Sequence, residues 1–144
     1  MAQASKVESA LVDTGVLYAL ADRSDEWHVR CVQFVRDFRG RLIVPSSVVP
    51  EACYLLNQYL GPGAETSFVK ALVNRELSLE HFTAPDLARS VELMRTYADN
   101  NIGFVDASVV AISERLNIHH ILTTDRRHFA AIRPAHCREF TLLP

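Results

Sequence analysis

A chain of 144 residues with 49% apolar side chains can bury a core as one domain, covering about 68–70% of its unfolded surface without disulfide staples. A net charge of −2 and a pI near 6.3 exclude a general nucleic-acid coat protein, which carries a strong basic excess, and no apolar stretch reaches the roughly 18 residues of a membrane span. Cys31, Cys53 and Cys137 are odd in number and lack ligand spacing, so they read as small buried hydrophobes in a reducing compartment; the polar segment 1–9 holds no secretory core, and a cytoplasmic protein is expected. Residues 9–13 (Ser-Ala-Leu-Val-Asp) form a short buried strand ending in an acid, and 14–21 turn helical. From Asp25 the apolar positions Trp27, Cys31, Phe34 and Phe38 follow a 3.6 period, which Gly40 can end. A second strand covers 41–44. Pro45 stops it, Ser46 or Ser47 can cap the helix over 48–60, and Pro50 is tolerable only near that helix's first turn. Gly61-Pro62-Gly63 breaks the chain before another helix over 64–75, so 46–75 reads as a helical hairpin.

The alternation of apolar and polar residues predicts a third strand over 77–82. Thr83-Ala84-Pro85-Asp86 opens a helix through Leu87, Val91, Met94 and Tyr97, and Asn100-Asn101 and Gly103 break it. A further helix spans 104–116 with Val105, Val109, Ile112 and Leu116 on one face. A fourth strand covers 120–124, with Asp125 at its end, and 138–143 can add a fifth. Strands that alternate with helices predict an α/β fold, a mostly parallel central sheet of four or five strands covered by helices on both faces. Right-handed crossovers put every strand's C-terminal end on one edge, and ligands bind outside that edge.

That edge is where acids follow strands. Leu11-Val12 leads into Asp13, and Ile121-Leu122-Thr123-Thr124 leads into Asp125. Glu51 comes early in the helix after the second strand, and Asp106 in the first turns of the helix before the fourth. Each acid alone reads as a turn residue or helix cap. Together they are harder to dismiss, because two carboxylates about 4 Å apart repel by roughly 4 kcal/mol at an effective dielectric near 20. Four of them hold protons or hold a cation. An all-oxygen donor set suits Mg²⁺ or Mn²⁺, and no His–Cys set suggests zinc. A carboxylate-bound Mg²⁺ keeps several waters, one of which can attack a phosphodiester.

The segments Leu11-Val12-Asp13-Thr14, Pro50-Glu51, Phe104-Val105-Asp106-Ala107-Ser108 and Leu122-Thr123-Thr124-Asp125-Arg126-Arg127-His128-Phe129 resemble the four acidic motifs of PIN domains. Their order and the chain length resemble the VapC ribonuclease toxins of type II toxin–antitoxin pairs. The resemblance covers nearly the whole chain, and its last two motifs are the most specific. It implies a PIN-like α/β/α sandwich with a protruding helical hairpin, spanning 1–144 as a single nuclease domain. It also implies hydrolysis of RNA to 5′-phosphate and 3′-hydroxyl ends with Mg²⁺ or Mn²⁺, a homodimer, and silencing by a cognate antitoxin peptide lying over the site. Asp13, Glu51, Asp106 and Asp125 map to the catalytic acids, with Asp13 and Asp106 as primary metal ligands. Thr14 and Thr123 match hydroxyl positions that bind phosphate or orient the acids. One departure is Gly15, where the family more often has a small polar residue.

Arg126 and Arg127 flank Asp125 and can contact RNA phosphate or pair with the acids. The excess of Arg over Lys, thirteen of fifteen basic residues, suits phosphate contact, but a genome's base composition gives the same bias and carries more weight. Asp99 reads as a solvated helix end, His28 as a solvated or capping residue, and His119 and His120 as structural or exposed. Tyr54, Tyr59 and Phe68 can stack bases, though hairpin core or dimer contact is the better reading. Among other functions, Asp13-Thr14-Gly15 resembles the motif of dimeric aspartic proteases, but that fold is nearly all β and the residues here turn helical. A phosphorelay receiver needs a Lys after its last strand, and the only lysines, Lys6 and Lys70, are misplaced. A housekeeping RNA-processing PIN nuclease and a non-catalytic PIN-like binding module stay open as alternatives.

Overall fold

The computed structural model describes residues 8–144, so most of the polar opening segment read above lies outside the described residues. Five strands, β1 (Ser9–Val12), β2 (Arg41–Pro45), β3 (Ser78–Glu80), β4 (His120–Leu122) and β5 (Thr141–Leu143), form one sheet in the order β3-β2-β1-β4-β5. Every pairing is parallel. The three inner strands are nearly continuous apolar runs because both of their faces are covered: Ala10, Leu11, Val12, Val44, Ile121 and Leu122 are all at most 1% exposed. Edge strand β3 is shorter than the predicted 77–82 and leaves Leu79 exposed.

Seven helices flank the sheet: α1 (Thr14–Ala21), α2 (His28–Asp37), α3 (Val48–Leu60), α4 (Pro62–Val73), α5 (Ala84–Thr96), α6 (Phe104–Leu116) and α7 (Arg126–Ala131). The chain steps outward from β1 to β3 and then crosses back to β4, so right-handed crossovers put α1–α4 on one face and α5–α7 on the other. The packing agrees: α1 touches α2 and α3, α3 lies against α4, and α5 lies against α6. The predicted hairpin is α3–α4. Gly61 turns it with φ 93°, a conformation open to glycine, and Pro62 then sits at the first position of α4, two residues earlier than predicted.

Several local readings change. Helix α2 starts at His28 rather than near Asp25, and His28 is structural: its Nδ1 donates to the Ala19 carbonyl of α1 at 2.7 Å. Gly40 lies beyond the end of α2, where its backbone passes so close to Glu8 that a Cβ would come within 1.8 Å of the Glu8 carbonyl oxygen. Pro45 belongs to β2 rather than ending it. Neither predicted serine caps α3 through its side chain: the Ser47 and Ser108 hydroxyls bond each other at 2.6 Å, and Ser46 Oγ accepts from Phe82 N. Helix α6 is buried all round over Ala107–Ser113 rather than on one stripe, and its inward Ser108 and Ser113 hydroxyls bond back to their own helix. Helix α7 was not foreseen.

Helix α5 turns a mixed face inward: Leu87, Val91 and Met94 are 41%, 46% and 37% exposed, while Tyr97 packs against the core and Asp86, Ser90 and Leu93 are buried. A polar network fixes this rotation. Thr83 and Asp86 form a reciprocal capping box at the helix start. The Arg115 Nε of α6 then reaches both Asp86 carboxylate oxygens at 3.2 and 3.0 Å, while its other nitrogens donate to Glu80 and the His81 carbonyl. Truncation by Asp86→Ala removes the cap and one partner of the Arg115 guanidinium, which keeps Glu80 and the His81 carbonyl, and is expected to cost on the order of 2 kcal/mol in urea unfolding. Arg115→Met, which leaves the buried Asp86 carboxylate without its cation, is expected to cost more than Asp86→Ala; the opposite ranking would show that the ion pair does not anchor this helix pair.

Candidate active site

Strand order reverses direction at β1, which has β2 on one side and β4 on the other. Parallel sheets open a crevice at such a switch point, outside the strand C-termini. Register supplies the contents. Val12 is paired with Leu122, and Asp13 N donates to the Leu122 carbonyl at 2.9 Å, so the residues that follow β1 and β4 lie abreast. Helices α3 and α6 bring their first turns, and with them Glu51 and Asp106, to the same edge. The result is a cleft of about 540 Å³ whose walls include Asp13, Thr14, Glu51, Asp106 and Asp125. All four predicted acids meet there.

Their environments differ. Asp13 is 6% exposed, and burial pushes its pKa from 3.8 up to about 6. The Asp106 and Glu51 charges push the same way; the Thr14 amide and the Thr123 hydroxyl, both donating to the carboxylate, pull back. Asp106 is also held above its ordinary value, chiefly by burial, with Asp125 and Glu51 adding to it and His128 opposing. Among the described residues no Lys or Arg forms an ion pair with any of the four acids. A buried carboxylate facing other carboxylates and lacking a basic partner fits a divalent cation, as do the oxygen donors around it. The Thr14 hydroxyl, buried at the cleft wall without a hydrogen-bond partner, adds one unused polar atom.

Of the two roles expected of Thr123, binding phosphate or orienting the acids, its geometry matches the second, and Arg126 lies outside the cleft. Thr123 is fully buried, and its hydroxyl is committed: it donates to Asp13 Oδ2 at 3.1 Å and accepts from Asp125 N at 2.9 Å. These two bonds tie the carboxylate after β1 to the backbone of the acid after β4. Arg126 is not part of the cleft; its guanidinium donates to the Pro144 carbonyl and lies 5.7 Å from the Trp27 ring centre. Arg127 and Asp99 are exposed and also outside the cleft, while Phe68 is buried in the hairpin core and Tyr54 and Tyr59 are exposed on it.

Sequence reasoning passed over three cleft residues. His128 stands between Asp106 and Asp125, with its Nδ1 2.8 and 2.9 Å from their Oδ2 atoms. The spacing Asp125-x-x-His128 is a helix-capping interval, and the Asp125 side chain does accept from His128 N, so this signal was present in the chain. Phe104 is 38% exposed on the cleft wall, edge-on to Phe82. Thr124 explains the Gly15 departure: a Cβ at position 15 would lie 2.1 Å from Thr124 Oγ1, so the threonine hydroxyl occupies the space that a side chain at 15 would need.

The family model of the PIN domain matches residues 10–133. The chain belongs to the PIN-domain family. It is VapC-like within that family: it is 31% identical over 134 residues to ribonuclease VapC26 of Mycobacterium tuberculosis H37Rv, an alignment covering 93% of this chain and 99% of that protein. The PIN fold itself is similar to the crystal structure of Mycobacterium tuberculosis VapC20, described as a sarcin-ricin loop cleaving toxin, with a TM-score of 0.78 and 21% identity over 90% of this chain and 98% of that one. It is also similar to a toxin–antitoxin complex from Klebsiella pneumoniae (TM-score 0.67, 19% identity, 92% and 99% coverage) and to DNA-bound VapBC from Salmonella typhimurium (TM-score 0.67, 14% identity, 95% and 97% coverage).

The cleft of this PIN domain has a measurable electrostatic signature. A carboxyl whose folded pKa is raised contributes stability that is complete below about pH 4 and is lost as pH rises through about 6, because the folded state then holds a proton that the unfolded chain has released. In EDTA, Asp13→Asn removes this contribution. The stability of the variant relative to the native protein should therefore rise by on the order of 2–3 kcal/mol between pH 4 and pH 7 in urea unfolding. A difference that stays flat across that range would mean Asp13 is not desolvated.

Proposed function

We propose that this VapC-like PIN domain is a metal-dependent ribonuclease, the toxin of a type II toxin–antitoxin pair, working as a single domain in the cytoplasm. The observation that carries the reading is the meeting of four acids from distant segments in one cleft beside the β1/β4 switch point, in a chain 31% identical to a named ribonuclease. A divalent cation, Mg²⁺ or Mn²⁺, supplies an activated water and neutralises charge that develops on a phosphodiester. Asp13 and Asp106, the two acids whose burial disfavours an unmet negative charge, serve as its primary holders. Thr123 keeps Asp13 aimed by the bond between them. Glu51 orients the attacking water and accepts its proton, and Asp125 completes the acidic wall around the ion; hydrolysis then leaves 5′-phosphate and 3′-hydroxyl ends. Thr14, at the cleft wall, has a buried hydroxyl with no partner, which a ligand oxygen can satisfy once the side chain turns toward the cleft. Phe104, exposed at the wall, offers a face for an unpaired base.

The partners follow from the same reading. An antitoxin covers the cleft and holds the enzyme inactive. A second copy of the chain packs on the apolar side chains Leu87, Val91 and Met94 that α5 leaves exposed. Sedimentation should show a dimer that Val91→Glu converts to monomer without loss of fold; an unchanged dimer would move the interface elsewhere. Among the described residues no helix is long and apolar enough to cross a membrane.

The nuclease itself is tested with single-stranded RNA in Mg²⁺, Mn²⁺ or EDTA. Native protein should cleave only with metal, and Asp13→Asn should lose at least about a hundredfold in rate. Cleavage that survives EDTA, or equal cleavage by the two proteins, overturns the mechanism. Induced expression of the native chain should arrest growth where Asp13→Asn does not; growth in both cases removes the toxin assignment and leaves the nuclease untouched.

A further inference from the structure

His128 stands at the acid cleft without a role in the reading above. It lies in the first turn of α7, three residues after the cap Asp125, so the turn that satisfies the helix start also turns the imidazole toward the acids. The result is a three-donor cluster drawn from two helices: His128 Nδ1, Asp106 Oδ2 and Asp125 Oδ2, all within 4.8 Å of one another. The Nδ1–oxygen separations are 2.8 and 2.9 Å.

Two roles fit such a histidine. As a cation it would offset one of the two negative charges that it touches. That role leaves the deepest acid, Asp13, without a counterion, since no Arg or Lys among the described residues pairs with it. As a nitrogen donor it would join the carboxylates around one ion. Donors about 2.1 Å from a metal on adjacent octahedral vertices lie about 3 Å apart, close to the spacing seen here. In this second role the ion also faces Asp13 and Glu51, which line the same cleft.

An imidazole changes which ion is preferred. Mg²⁺ is hard, favours oxygen and dehydrates reluctantly, so a nitrogen in its shell gains little; first-row transition ions bind nitrogen progressively better from Mn²⁺ onward. We infer that His128 is a nitrogen ligand of the active-site cation, shared with Asp106 and Asp125, and that it biases this site toward Mn²⁺ and later first-row ions over Mg²⁺. This inference rests on the metal-dependent nuclease reading given above.

The experiment uses the full chain, stripped with EDTA and reloaded with Mn²⁺ alone. Electron spin-echo spectra should show ¹⁴N modulation from a directly bound imidazole in the native protein and none in His128→Gln. By calorimetry, His128→Gln should weaken Mn²⁺ binding at least about tenfold and Mg²⁺ binding distinctly less. Bound Mn²⁺ with no nitrogen modulation, or equal losses for both ions, overturns the assignment and leaves the nuclease reading standing. Failure of the native chain to bind either ion, with RNA cleavage continuing in EDTA, brings down both. If His128→Gln does not fold, the native spectrum alone decides.

Discussion

The register between β1 and β4 is the constraint on which the rest of the molecule depends. Val12 opposite Leu122 sets Asp13 beside Thr123, and one hydroxyl then ties the acid after β1 to the backbone of the acid after β4. A slip of one residue would turn each strand's side chains to the opposite face of the sheet and carry Asp13 out of the cleft. Both faces of these strands are packed with apolar residues, so the core that stabilises the fold also enforces the alignment of the site.

The same core makes the site costly. Asp13 sits among buried aliphatic residues with two hydrogen bonds and no cationic partner, and the neighbouring acids repel it. A folded protein tolerates such a group where the group serves a purpose other than stability. The contrast with Asp86 is instructive. That carboxylate is equally buried, but it has the Arg115 Nε and a capping box, and it holds two helices together. Two buried aspartates in one chain thus differ in whether their charge is met from within the protein.

Much of this was legible in the residues. The inner strands announced themselves as short, largely apolar runs, two of them leading into acids, and the helical hairpin by its Gly-Pro-Gly break; the four acids could be assigned to one edge by topology alone. What escaped had physical causes. The rotation of α5 is decided by Arg115, an ion-pair partner 29 positions away in sequence, and periodicity counts apolar residues without weighing such a bond. Helix α7 is only six residues long, too short for a period to emerge, and with it went the meaning of His128, whose place at the acids exists only once that turn is formed. Arg126 looked like a phosphate contact from its neighbours, but the helix points it instead toward Trp27 and the last residue of the chain.

Gly15 and Thr124 share a single volume at the cleft wall. A hydroxyl can therefore enter this wall from the turn after β1 or from the segment after β4, but not from both at once. The two positions form an epistatic pair: a serine at 15 becomes admissible once 124 is trimmed to glycine, and each change made alone either crowds the wall or leaves it bare. Descent with that double exchange would move a polar group from one side of the cleft to the other while leaving its overall chemistry intact.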